Sequence, residues 1–215
     1  GLRQPIRIGV IGFTPPQIMS WDRVHLDGSV EARDILDAAR ARVPELREAG
    51  ADIVVALSHS GIAAGRPEGA ENASLFLAGL EGVDVVVTGH QHLLFPGKDF
   101  LGIGGADAAA GRLMGKPAVQ PGFWGSHLGI VDLVLERGNG TWRIAGSTVA
   151  TRPIYERVER RPVPLVAAEE RLLALVGPEH EGTLAYVRRP VGRTSVPITS
   201  YFALVADSAS VQVVN

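Results

Sequence analysis

Three short runs of nearly continuous apolar residues mark the first ninety or so positions: Ile6–Phe13 (IRIGVIGF), Asp52–Ser58 (DIVVALS) and Val83–Thr88 (VDVVVT). Each is short, rich in β-branched residues and ended by turn-forming or small polar residues, which predicts buried strands. Between the first two, Ile35, Ala38, Ala39, Val43 and Leu46 recur at helical spacing. They predict a helix that starts after Ser29, at Glu31-Ala32-Arg33-Asp34, and runs to about Ala49. Gly50 suits the position just past its end. Pro44 falls inside this helix and is expected to kink or split it. Residues 14–30 read as a long loop and 71–80 (ENASLFLAGL) as a short helix. Strand–helix–strand–helix–strand implies right-handed crossovers and mostly parallel pairing. Continuous apolar strands imply a sheet covered on both faces.

After a glycine-rich loop at 97–116 the pattern changes. Ala118–Gln120, Leu128–Glu136 and Thr141–Ala150 read as strands joined by short links, and Gly138-Asn139-Gly140 is a strong hairpin signal. A parallel α/β half is therefore expected to run into an antiparallel β half. Residues 163–188 have helical patterning, with a break expected at Gly177-Pro178, and 189–215 read as β-like. The chain opens Gly1-Leu2-Arg3-Gln4-Pro5, with no initiator Met and no signal peptide, and closes on the apolar β-type run Ser210–Asn215. That leads to the expectation of a piece excised from a longer protein; the alternative is a natural end that frays.

Composition narrows the chemistry. The 215 residues are 46% hydrophobic and 20% charged, enough for a folded core, so bulk disorder is excluded. A formal charge of −2 gives no basic field for a nucleic-acid polymer or an anionic membrane. No apolar run approaches the roughly 18 residues of a membrane span. Cysteine is absent, which removes disulfides, thiolate catalysis, Fe–S clusters and Cys-ligated zinc. Any metal must be held by nitrogen or oxygen ligands.

Histidine is the natural nitrogen donor. Of the six, His59 and His90 directly follow buried strands, and His92 completes a Gly-His-x-His turn. Ligands of open α/β sheets bind beyond the carboxyl ends of the strands. His59, His90 and His92 are thus expected on one rim, beside the small residues Ser58, Ser60, Gly61 and Gly89, which allow close backbone approach. The alternative is that they are capping or loop histidines. His25 and His180 read as surface residues, and His127 as a structural hydrogen-bonding partner. Ser58-His59-Ser60-Gly61 lacks the nucleophile-elbow pattern, Gly102-x-Gly104-Gly105 opens no βα unit, and no Walker A motif is present.

Six stretches carry a resemblance: IGVIGFTPPQIMSWD (8–22), GADIVVALSHSG (50–61), GVDVVVTGHQHLLFPGKDF (82–100), PGFWGSHLGIVDL (121–133), TRPIYE (151–156) and SYFALVADSASVQVVN (200–215). The chain resembles the calcineurin-like metallophosphoesterases of the 5′-nucleotidase superfamily, and within them the bacterial periplasmic 2′,3′-cyclic-nucleotide 2′-phosphodiesterase/3′-nucleotidase branch. The resemblance implies a mixed α/β fold, a two-layer β-sandwich flanked by helices, incomplete here on its N-terminal side. It implies two divalent metal ions (Zn, Mn, Co or similar), with His59 and His90 on one and His92 on the other. The family's Asp-x-His, bridging Asp and Asn-His motifs have no counterpart in the chain, so no catalytic residue is assigned and the isolated chain is expected to be inactive. By the same resemblance, residues 1–160 form the second half of the catalytic domain, 161–189 a linker helix, and 190–215 the start of a C-terminal substrate domain. The implied activity is metal-dependent hydrolysis of nucleotide or cyclic-nucleotide phosphoesters by an exported, periplasmic enzyme. The alternatives are a 5′-nucleotidase/UDP-sugar hydrolase, or a non-catalytic remnant that binds nucleotide or a partner. Apolar strands without partners at the chain's two ends are expected to drive self-association.

Overall fold

The structure, a computed structural model, describes residues 5–195 and 197–214. The chain divides into two compact units, Gly1–Val166 and Ala167–Asn215. In the first, the elements in order are β1 (Ile8–Phe13), α1 (Ile18–Trp21), α2 (Arg23–Leu26), α3 (Ile35–Glu48), β2 (Ile53–Ser58), α4 (Ser74–Gly79), β3 (Val85–Thr88), β4 (Leu94–Phe95), β5 (Ala106–Asp107), β6 (Arg112–Leu113), β7 (Lys116–Pro121), β8 (His127–Gly138), β9 (Thr141–Pro153), β10 (Tyr155–Val158) and β11 (Arg161–Pro164). The central sheet has the order β1-β2-β3-β7-β6-β5, with β4 also pairing β7. Strands β1, β2, β3 and β7 are parallel, so their carboxyl ends share one edge.

The register sorts the two faces. Ile11, Ala56, Val86 and Ala118 align across the four parallel strands and pack into the core with Ile35, Leu36, Ala39 and Val43 of α3 and Leu75, Leu77 and Ala78 of α4. On the other face Leu57, Val87 and Val119 align. The long β8–β9 hairpin forms the second layer. A Cβ at Gly129 would lie 2.9 Å from Val119, so only glycine lets β8 come this close to β7. The hairpin turns at Asn139-Gly140, both with positive φ, as a two-residue turn matching the strand twist requires. Toward β1 the same face is open, and Ile8, Val10 and Leu57 are exposed.

Several expectations are corrected. Residues 14–30 hold the short helices α1 and α2. Helix α3 starts after Asp34, not Ser29, because the Asp34 carboxylate accepts from both Leu36 N and Asp37 N. It ends as expected at Gly50, with Ala51 N bonding Leu46 O and Gly50 N bonding Arg47 O. Pro44 does not split it; Pro44 and Arg40 both lie on the solvent side, where the carbonyl deprived of its donor can bond water. Strand β7, expected in the antiparallel half, pairs parallel with β3 and antiparallel with β4 and β6, so it joins the two patterns within one sheet, and the glycine-rich segment at 97–116 contributes the short antiparallel strands β5 and β6.

In the second unit, α5 (Glu170–Val187) runs unbroken through Gly177-Pro178. The β-like reading of 189–215 is overturned. No strand follows Pro164 among the described residues, and the closing apolar run forms helix α6 (Ala209–Val214). Its first turn is tied locally, with Val211 N and Gln212 N donating to Ser208 O. A strand there would need a partner strand for its backbone groups, whereas a helix satisfies them within the segment. Among the described residues no helix is long and apolar enough to cross a membrane.

Candidate metal centre

The carboxyl edge of the parallel sheet gathers the polar residues that end its apolar strands. Ser58 closes β2, Thr88 closes β3, and Ser60 and Ser74 lie between them; all four are buried. Ser74 Oγ donates to Ser60 O at 2.8 Å and lies in hydrogen-bond contact with Ser58 Oγ at 3.0 Å. Thr88 Oγ1 bonds Ser60 O as well as Ser74 Oγ. Ser60 Oγ donates to Glu71 O at 2.6 Å and accepts from Ala73 N at 2.7 Å. Gly61 N donates to Asn72 Oδ1 at 3.2 Å, and Ile62 N to Gln91 Oε1 at 2.7 Å. These bonds lock three segments, 58–62, 71–74 and 88–91, into one rigid rim. A closed polar network in a low-dielectric interior specifies a single arrangement, because any unmade bond leaves a buried group unsatisfied. Gly61 sits at its tightest point, where a Cβ would collide with the Gln91 side chain and Asn72 Oδ1.

This rim presents the histidines. His59 follows β2 directly, its amide donating to Phe13 O at 2.8 Å, and its ring is exposed. His90 follows β3 by two residues in a tight turn. Its φ is +70°, and Gln91 N donates to Gly89 O at 2.8 Å, a γ-turn in the strained positive-φ form. Non-glycine residues hold such backbone only where their surroundings over-determine it, and such positions cluster at functional sites. His59 and His90 meet edge-on, ring centroids 5.4 Å apart. On its other contacts His90 stacks against Trp21 of α1 at 5.1 Å, and its Nε2 lies 2.6 Å from Glu71 Oε1.

His92, also at positive φ (+59°), stacks instead on Phe123 at 4.9 Å. His59 and His90 are thus brought into contact, and His92 stands in a separate aromatic contact near them in sequence. Among the described residues no group of three or more His, Asp or Glu is clustered so as to hold a metal ion. His127 is engaged by Ser126, whose Oγ lies 2.9 Å from Nδ1. His25 is in α2 and His180 in α5, both exposed.

Two imidazoles side by side are donors of the right chemistry for a divalent transition ion. They fit such an ion as part of its ligand set, and the remaining positions must be filled by water or by groups outside this cluster. Glu71 and Gln91 were not singled out from the sequence. The available signal was weak: Glu71 and Asn72 read as the start of a helix, whereas α4 begins at Ser74 and leaves both in the rim.

The chain matches no family model. It is 46% identical over its whole length to the 2′,3′-cyclic-nucleotide 2′-phosphodiesterase/3′-nucleotidase of Salmonella typhimurium, of which it covers 33%. It is 39% identical over its whole length to the trifunctional nucleotide phosphoesterase protein YfkN of Bacillus subtilis, covering 14% of that protein. The crystal structure of the calcineurin-like phosphoesterase YfkN from Bacillus subtilis superposes with a TM-score of 0.77 at 37% identity, over 86% of this chain and 54% of that one. The chain spans about a third of the length of the cyclic-nucleotide phosphodiesterases it matches.

Proposed function

We propose that this chain, which shares the calcineurin-like phosphoesterase fold and is related along its whole length to part of the 2′,3′-cyclic-nucleotide 2′-phosphodiesterase/3′-nucleotidases, supplies one portion of a two-metal phosphoesterase site acting on nucleotide phosphoesters. The observation that carries the reading is the contact of His59 and His90 at the carboxyl ends of neighbouring parallel strands. In it, His59 and His90 would hold one divalent ion, and His92 would serve the second. Such ions, when bound, supply positive charge that stabilises the phosphoryl oxygens and lowers the pKa of an attacking water. The chain's own residues fix the backbone that carries His59 and His90 through the Ser58–Ser60–Ser74–Thr88 network, while Trp21 stacks on His90 and Phe123 on His92. Residues 190–215 belong in this reading to the opening of a C-terminal substrate domain. The exposed Ile8, Val10 and Leu57 favour self-association, which sedimentation at micromolar concentration tests.

A chimera in which this chain replaces the matched third of the Salmonella relative tests the reading. It is expected to hydrolyse 2′,3′-cyclic AMP with added Mn²⁺, and His59→Ala or His90→Ala to lower that rate at least 100-fold. The isolated chain is expected to show little turnover. Full activity in the histidine variants would overturn the assignment. Preference for a 5′-nucleotide or UDP-sugar would favour the 5′-nucleotidase alternative.

A further inference from the structure

Glu71 has an ionisable side chain that nothing above puts to use. It is 44% exposed, so its position does not follow from burial, yet its carboxylate lies 2.6 Å from Nε2 of the largely buried His90. The backbone around it is fixed from both sides. Its carbonyl accepts from Ser60 Oγ, the next residue receives Gly61 N through Asn72 Oδ1, and Ala73 N and Ser74 N bond Ser60 Oγ and Gly61 O. Glu71 is therefore anchored to the strand end that carries His59, while its side chain reaches the turn that carries His90. Trp21 stacks on one face of the same ring, with planes only 21° apart. One hydrogen bond along the ring edge and one stack on its face together restrict both rotations of the imidazole.

We propose that Glu71 is a positioning residue: it accepts the Nε2–H of His90 and so makes Nδ1 the lone-pair nitrogen that His90 offers to a metal ion. The inference deepens the metal-site reading and rests on it for the identity of the ligand, but the proton assignment can be measured without any metal. A carboxylate on the far nitrogen of a ligand histidine fixes the tautomer and makes the ring a better donor; removing such a partner commonly weakens metal binding about 10–100-fold. A neutral imidazole has one donor and one acceptor nitrogen, so fixing one assigns the other.

The test is nitrogen-15 imidazole NMR on the full chain near pH 8, with and without Zn²⁺. In the unmodified chain the His90 Hε2 proton is expected as a slowly exchanging signal. Added Zn²⁺ should move Nδ1 of His90 while Hε2 persists. Glu71→Leu should lose the slow Hε2 signal and weaken the Zn²⁺ response about 10–100-fold. Glu71→Gln, whose amide oxygen can still accept, should keep Hε2 and stay within about threefold of the parent. Backbone amide spectra check that both variants fold. Absence of a protected Hε2 in the parent chain, or Zn²⁺ moving Nε2 with loss of Hε2, overturns the proposal. So does Glu71→Gln behaving like Glu71→Leu in Zn²⁺ binding, because that marks Glu71 as a direct ligand. If Zn²⁺ moves neither His59 nor His90, the metal-site reading fails, and the Hε2 signal still decides the role of Glu71.

Discussion

The parallel sheet carries polar clusters at both ends, and they are built on opposite plans. At the amino ends of β2, β3 and β7 the groups are charged and closed on one another. Arg47 donates to Ala51 O, Asp52 O, Gly82 O and the Asp84 carboxylate, and Asp84 also accepts from Val54 N at 2.6 Å. Lys116 donates to Leu80 O at 2.6 Å. At the carboxyl ends the closed part of the network is neutral, hydroxyls and amides below the surface, and the imidazoles stand above it. A guanidinium satisfied by four acceptors ties loops together and has little left for a ligand. Hydroxyls that satisfy one another fix the backbone that carries the rings. The first end reads as a fastening and the second as a platform.

Breaking the fastening should have the largest effect on stability. Asp84→Ala strips the buried Val54 amide of its acceptor and Arg47 of its carboxylate. Chemical denaturation is expected to show a loss of about 2–3 kcal/mol, with the Zn²⁺ response of His59 and His90 retained. If that variant loses the zinc response while still folded, the two ends are coupled and the contrast fails.

Gly61→Ala strikes the platform instead. The new Cβ must displace Gln91 and Asn72, so a cost of about 1–3 kcal/mol is expected. Here the zinc response should weaken together with stability, since Gln91 adjoins both histidines of the turn. A stable variant with unchanged zinc binding would show that the rim is not rigid.

A finer test separates the His90 ring from its backbone. His90→Ala and His90→Gly both remove the contacts to Glu71 and Trp21, but only alanine keeps a side chain at φ +70°. His90→Gly should therefore be more stable than His90→Ala by about 1 kcal/mol, and both should lose the zinc response. Equal stability would mean that the turn relaxes once the ring is gone.

The smallest effect concerns Lys116. Burial pushes its pKa below the ordinary value of 10.5, and Arg47 adds to this, against the opposing pull of Asp84 and Glu81. Between the lowered folded value and 10.5 the unfolded chain binds more protons than the folded one, so stability should rise with pH across that window. Denaturation curves should show that the slope disappears in Lys116→Met. A stability that falls through the window would place the charged amine in a more favourable setting than the fold suggests.

Much of this architecture was legible in the residues. Apolar runs at 6–13, 52–58 and 83–88, with helical spacing between, specify a parallel sheet, and strand order then puts His59 and His90 on one edge. Asn139-Gly140 specifies its hairpin through its positive φ values. Local signals of this kind are read directly because they depend on the steric preferences of a few neighbouring residues. Three features depended on the folded whole. Whether Pro44 breaks α3 turned on which side of the helix faces water. Whether the described part of the closing run, Ser210–Val214, is strand or helix turned on the presence of a partner strand. That Glu71 rather than another acid meets His90 turned on a loop 19 residues away being fastened to the end of β2. Spacing along a strand or helix states which face a residue occupies, but the pairing of two loops is set by the sheet that carries them and by the buried hydroxyls that join them.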